Sequence, residues 1–77
     1  MDEMEMLLAA LAEVDEDIDF AAETALVDDG LVDSLALTQI IAALDETFDI
    51  RIATGDIEPE NFNSAASMLE LVHRCRR

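Results

Sequence analysis

Few side chains in this sequence could do chemistry, and most of them can be assigned quiet roles. His73 is the only histidine and lies near the C-terminus on the polar side of a helical pattern, with no nucleophile close in sequence. It reads as an exposed cation at a helix end. Cys75, the only cysteine, falls on an apolar stripe, where a free thiol is usually inert packing. Asp15, Asp17 and Asp19 match positions 1, 3 and 5 of a calcium loop, but that motif fails later. Its sixth position needs glycine and holds Phe20; its twelfth needs a bidentate glutamate and holds Leu26. These acids read as a solvated loop. No catalytic set and no metal site is expected.

One hydroxyl remains. The run Asp29-Gly30-Leu31-Val32-Asp33-Ser34-Leu35 closes a loop and opens the strongest helical pattern in the chain. A serine there has two readings. It can be a plain cap, whose oxygen accepts a backbone N–H of the first turn. It can also be an attachment point, because the free N–H groups and positive dipole end of a helix suit a phosphate ester. At a loop-to-helix corner the Ser34 hydroxyl is expected to reach solvent and a modifying enzyme.

The elements that would hold this hydroxyl follow from periodicity. Met4, Leu7, Leu8, Leu11 and Val14 recur at helical spacing, with Asp2, Glu3 and Glu5 at the favourable positive end, predicting a first helix over about 2–14. Residues 15–32 form a long acidic connection, expected to be pinned to the core by Phe20, Leu26 and Leu31. The second helix should run from Ser34 to Phe48. Leu37, Ile40, Ile41, Leu44 and Phe48 share a stripe about 100° wide, the signature of a core-facing side. Leu35, Thr38, Gln39, Ala42 and Glu46 fall on the other side, so Leu35 is an apolar residue aimed outward beside Ser34. Residues 49–52 alternate in polarity but are too few to argue a sheet. Gly55–Phe62 reads as a turn and a short helix near Ile57–Asn61. Ser64 or Asn63 should cap a last helix whose stripe is Ala65, Met68, Leu71, Val72 and Cys75, flanked by Leu69. Arg74, Arg76 and Arg77 crowd its negative end. The expected fold is all-α: three main helices and one short one in a bundle, with a long first loop.

Composition bounds what such a bundle can meet. The 77 residues suffice for a single domain, 1–77, with no linker or repeat. A hydrophobic fraction of 52% with only three Phe and no Tyr or Trp calls for an aliphatic core. Nineteen acidic against four basic residues give a net charge of −15. That surface repels nucleic-acid phosphates and anionic lipid and attracts basic patches on other proteins. No apolar run reaches the roughly 18 residues of a membrane span, and the start Met1-Asp2-Glu3 lacks the basic region of a secretory signal. A cytoplasmic monomer is expected, and one cysteine fits a reducing compartment.

With these residues in place the chain resembles the acyl carrier protein family. The resemblance runs from the amphipathic first helix and long loop through Asp33-Ser34-Leu35 to Leu44-Asp45-Glu46-Thr47-Phe48-Asp49-Ile50, and on through Ile57-Glu58-Pro59-Glu60-Asn61-Phe62 to the last helix. It implies that Ser34 receives 4'-phosphopantetheine from coenzyme A through a phosphopantetheinyl transferase. The thiol of that arm would hold an acyl or aminoacyl group as a thioester for lipid or secondary-metabolite biosynthesis. A loading ligase and downstream transferases or synthases would be the partners. It further implies that Asp33 helps fix the helix start and that partners dock on the second helix, here through Leu35, Thr38, Gln39, Ala42 and Glu46. Two departures stand out. Fatty-acid carriers usually have acids soon after the serine, where this chain has Ala36 and Gln39. The Asp29–Ser34 run is closer to stand-alone carriers such as the D-alanyl carriers, but their third-helix tryptophan is missing and Phe62 stands nearest. Cargo stays open, and so does the alternative of a non-enzymatic acidic helical domain that binds a basic protein surface with Ser34 as a plain cap.

Overall fold

The structure is a computed structural model and describes residues 2–76. Four α-helices follow in order: α1 (Glu3–Val14), α2 (Ser34–Phe48), α3 (Pro59–Phe62) and α4 (Ala65–Cys75), with a 3₁₀ turn at Thr54–Asp56. Among the described residues there is no strand, in agreement with the all-α expectation. Each main helix begins where a short polar side chain can accept a first-turn amide. Asp2 accepts from Glu5 N at 2.7 Å, Asp33 from Ala36 N at 2.8 Å, and Ser64 from Ser67 N at 3.1 Å. Of the two caps foreseen for α4, Ser64 is the one used.

The helices close on an aliphatic core. α1 packs on both α2 and α4, and α3 packs on α4. Leu7 and Leu11 of α1, Ile40 and Leu44 of α2, Phe62 of α3, and Met68, Leu71 and Val72 of α4 are fully buried. Phe48 closes the end of the α2 stripe, with Arg76 stacked over its ring at 5.6 Å. Ala65 also lies in the core, whereas Leu37, Ile41, Leu69 and Cys75 are half-buried at its edge. The Cα radius of gyration is 11.1 Å, against about 11.5 Å expected for a compact domain of this length. The long first loop is therefore folded onto the bundle.

Two expectations need correction. The loop is pinned by Phe20 and Leu26 as foreseen, but its third anchor is Val32, 4% exposed, and not Leu31, which is 44% exposed. Gly30 supplies the reason: at φ +77 it turns the chain in a way a side chain would resist, and Val32 N then bonds Leu26 O at 3.0 Å. That bond turns Val32 inward and Leu31 outward. The short helix also begins later than expected, at Pro59 and not Ile57. Proline disfavours helical backbone in the residue before it, and Glu58 is extended (φ −127, ψ 147). Proline itself fits the first helical position because no amide is needed there. Ile57 is left partly exposed.

At the other end of α2 the chain leaves through Asp49, in the left-handed conformation (φ 53, ψ 53). Asp45 holds this exit from two sides. Its carbonyl accepts Asp49 N and Ile50 N, and its carboxylate accepts Ile52 N at 3.0 Å. Ile52 is thereby tucked into the core while Arg51 faces outward.

Candidate functional site

Ser34 is the first residue of α2, and its cap is its neighbour. Asp33 is extended (φ −89, ψ −176), and its Oδ1 accepts Ala36 N while its carbonyl accepts Leu37 N at 2.8 Å. Two first-turn amides are thus satisfied by one residue. The amides of Ser34 and Leu35 take no partner on the protein among the described hydrogen bonds, as the first groups of a helix usually do not. The Ser34 hydroxyl also enters no hydrogen bond among the described residues; only its carbonyl is engaged, by Thr38 Oγ1 at 2.9 Å. The side chain is solvent-exposed. An exposed, unengaged hydroxyl beside two free amides at the positive end of a helix of 15 residues suits a phosphate ester: the oxygen can be reached, and the amides face negative charge.

Around Ser34 the surface is uneven. Leu35 is 69% exposed, a large apolar side chain given to solvent. Thr38, Gln39, Ala42 and Glu46 are exposed further along the same helix. No ionisable side chain occurs from Ser34 to Leu44; the acids gather before the helix at Asp28, Asp29 and Asp33 and at its far end at Asp45, Glu46 and Asp49. The exposed side of α2 is therefore a neutral strip with an apolar head, bounded by negative charge at both ends.

The other candidates are used elsewhere. His73 Nε2 lies 2.8 Å from Glu3 Oε1, and Arg76 meets the second oxygen of the same carboxylate. These contacts, the His73 bond first, hold Glu3 below the ordinary glutamate range. They fasten the start of α1 to the end of α4. Cys75 is half-buried, and burial, followed by the charge of Asp56, pushes its thiol upward. It is protonated at neutral pH and a poor nucleophile. Asp15 accepts Asp17 N at 2.9 Å in a local turn, and no cluster of histidine, cysteine, aspartate and glutamate among the described residues could hold a metal ion. Arg74 donates to Asn61 Oδ1 at 3.1 Å, and Arg77 lies outside the described residues. No described helix is long and apolar enough to cross a membrane.

Asn63 is a residue whose importance the sequence pattern hid. It was legible only as a possible cap for α4, yet its Oδ1 accepts both Val27 N and Asp28 N at 3.0 Å. Its Nδ2 donates to Asp28 Oδ2 at 3.1 Å, and its carbonyl accepts Leu26 N at 3.0 Å. No local signal could have revealed bonds that span 35 and 36 residues.

Neither a curated protein nor a solved structure matches the chain. A protein family does: the one described as phosphopantetheine attachment site matches residues 3–72, from the first turn of α1 into α4, with Ser34 inside the match. Its members carry the 4'-phosphopantetheine prosthetic group and are generally non-catalytic. By a match that takes in nearly the whole bundle, the chain belongs to the phosphopantetheine attachment-site family.

Proposed function

We propose that Ser34 is the residue that bears the arm and that the chain is a carrier, passing acyl or aminoacyl cargo between enzymes. The observation that carries this reading is the Ser34 hydroxyl itself: exposed, unbonded, and relieved of capping by Asp33. The chief reason to regard Ser34 as merely structural was the cap, and that role belongs to its neighbour. When bound, the arm supplies a thiol that holds cargo as a thioester. This chain's own residues do the rest. The first-turn amides of Ser34 and Leu35 face the phosphodiester charge. Asp33 keeps the helix start in place, and the acids around it draw in the basic surface of a phosphopantetheinyl transferase, which uses coenzyme A as donor.

Partner enzymes, a loading ligase and downstream transferases or synthases, dock on the exposed side of α2. Leu35 and Ala42 give apolar contact, Thr38 and Gln39 neutral hydrogen-bonding groups, and Glu46 a rim charge. Such a face favours short-lived complexes, in which charge speeds encounter and a small apolar centre gives limited hold. A lone, half-buried thiol fits the reducing cytoplasm. The cargo that suits this bundle is short or polar. Leu11, Ile40, Leu44 and Met68, which an interior chain would have to part, are fully buried in one cluster. An apolar cleft of about 260 Å³ lies instead between α1 and the start of α4, lined by Met4, Leu8, Thr24 and Ala65 among others, none of them next to Ser34 in sequence.

The test is modification itself. The protein is incubated with coenzyme A and a transferase of broad specificity and weighed intact. The wild type should gain a single arm and Ser34→Ala none. A wild-type mass that stays unchanged overturns the proposal.

A further inference from the structure

We infer that Asn63 is a positioning residue for the reaction at Ser34: it clasps the loop that leads into α2 and so sets how Leu31, Asp33 and Ser34 meet a partner enzyme. The inference rests on the carrier reading above and adds to it a residue far from the serine in sequence.

Asn63 stands between α3 and α4. Four of its hydrogen bonds reach three successive loop residues: its carbonyl takes Leu26 N, its Oδ1 takes Val27 N and Asp28 N, and its Nδ2 gives to Asp28 Oδ2. The same loop then closes on itself. Asp29 N bonds Ala25 O at 2.7 Å, Gly30 N bonds Val27 O, and Val32 N bonds Leu26 O. Leu26 is thus bonded on one side to Asn63 and on the other to Val32, the residue that precedes the Asp33 cap. From Asn63 to Ser34 there is an unbroken path of two backbone hydrogen bonds and two residues of chain.

The consequence is visible in which side chains point out. Leu26 and Val32 are buried by this closure, and Leu31 is 44% exposed. Leu31 precedes Ser34 by three residues and Leu35 follows it by one, so two large apolar side chains exposed to solvent stand on either side of the serine along the chain. The partner surface that fits has apolar recesses on either side of its active-site mouth and basic groups facing Asp29 and Asp33. If the clasp opens, Leu35 stays fixed by its helix, but Leu31 and the acids lose their register against it.

A charge swap tests this. Asn63→Asp keeps an acceptor for the two amides but sets a carboxylate against that of Asp28, with no hydrogen to bridge them. Adding Asp28→Asn restores a donor between the two positions at unchanged net charge. Steady-state modification by the transferase, with coenzyme A and at a temperature where melting curves show every variant folded, should give a KM for N63D about tenfold above wild type with kcat within about twofold. The double variant should recover most of the loss. Asn63→Ala, which adds no charge, should raise KM in the same direction and serves if N63D does not fold. Hydrogen exchange at the Leu26, Val27 and Asp28 amides should accelerate in the single variants and slow again in the swap. A wild type that is never modified defeats the carrier reading. A wild type that is modified, beside folded N63D or N63A with unchanged KM, defeats the clasp alone.

Discussion

Because Asp33 and not Ser34 caps α2, the two adjacent residues should respond unequally to alanine, and the contrast can be worked out beforehand. In Asp33→Ala the 2.8 Å bond to Ala36 N is lost and the amide is left to water. Removal of a capping side chain costs about 1 kcal/mol, within a range of roughly 0.5–2. Loss of a negative charge at the positive helix end adds about 0.3–1 kcal/mol, partly counted already in the cap. Relief of repulsion in a chain of net charge −15 acts the other way. A net loss of about 1 kcal/mol remains, which for a domain of this size lowers Tm by roughly 4–8 °C. Asp33→Asn keeps the acceptor and loses only charge, so it should stay within about 0.5 kcal/mol of wild type. Ser34→Ala removes a hydroxyl with no intramolecular bond from an exposed first-turn position, where alanine is the better helix former, so its change should also stay within about 0.5 kcal/mol. Far-UV circular dichroism suits the measurement, since the chain has no Trp or Tyr. A Ser34→Ala variant that loses 1 kcal/mol or more, with Asp33→Ala unaffected, refutes the assignment of the cap and restores a structural role to the serine.

Three further outcomes follow from the same structure. Leu26→Ala should cost about 2–5 kcal/mol although it lies in a loop, whereas Leu31→Ala should stay within about 0.5 kcal/mol; urea unfolding of the two variants decides, and equal losses contradict the observed anchor. Glu3 is held below the ordinary glutamate range by His73 and Arg76, so its contribution to stability is present above that range and is lost as pH falls through the lowered value. The wild type should therefore melt above Glu3→Gln near neutral pH, with the two converging in acid below the ordinary glutamate range, and a gap that persists there contradicts the pairing. Self-repulsion at a net charge of −15 predicts that Tm rises as sodium chloride is raised from about 10 mM to 0.15 M, shortening the screening length from about 30 to 8 Å, and rises further with a divalent cation; a melting curve indifferent to both speaks against it.

What could be read from the sequence, and what could not, divides by the range of the interaction that decides it. The limits of α2 were legible because its apolar stripe, its charge-free body and the aspartate before it are all local. The same holds for Leu35, whose outward direction follows from helix geometry once Ile40 and Leu44 are placed inside. The start of α3 was misplaced by two residues, although Pro59 carried the necessary information: the residue before a proline resists helical backbone. Leu31 and Val32 were harder. Loop residues have no period, so which of two neighbouring aliphatic side chains turns inward depends on the positive φ of Gly30 and on a bond back to Leu26. Asn63 was out of reach, since its partners are 35 and 36 residues away and nothing near it in sequence points to them. Most of the candidate site was thus open to inspection of the sequence, while the device that orients the loop before it was not.

The most direct measurement is to fragment the protein after treatment with coenzyme A and transferase, and to locate the added mass along the chain. All of it should lie on the peptide containing Ser34, and Ser34→Ala, still folded, should acquire none. Mass found on another serine such as Ser64 or Ser67, or a folded wild type that acquires nothing, contradicts the assignment of the arm to Ser34.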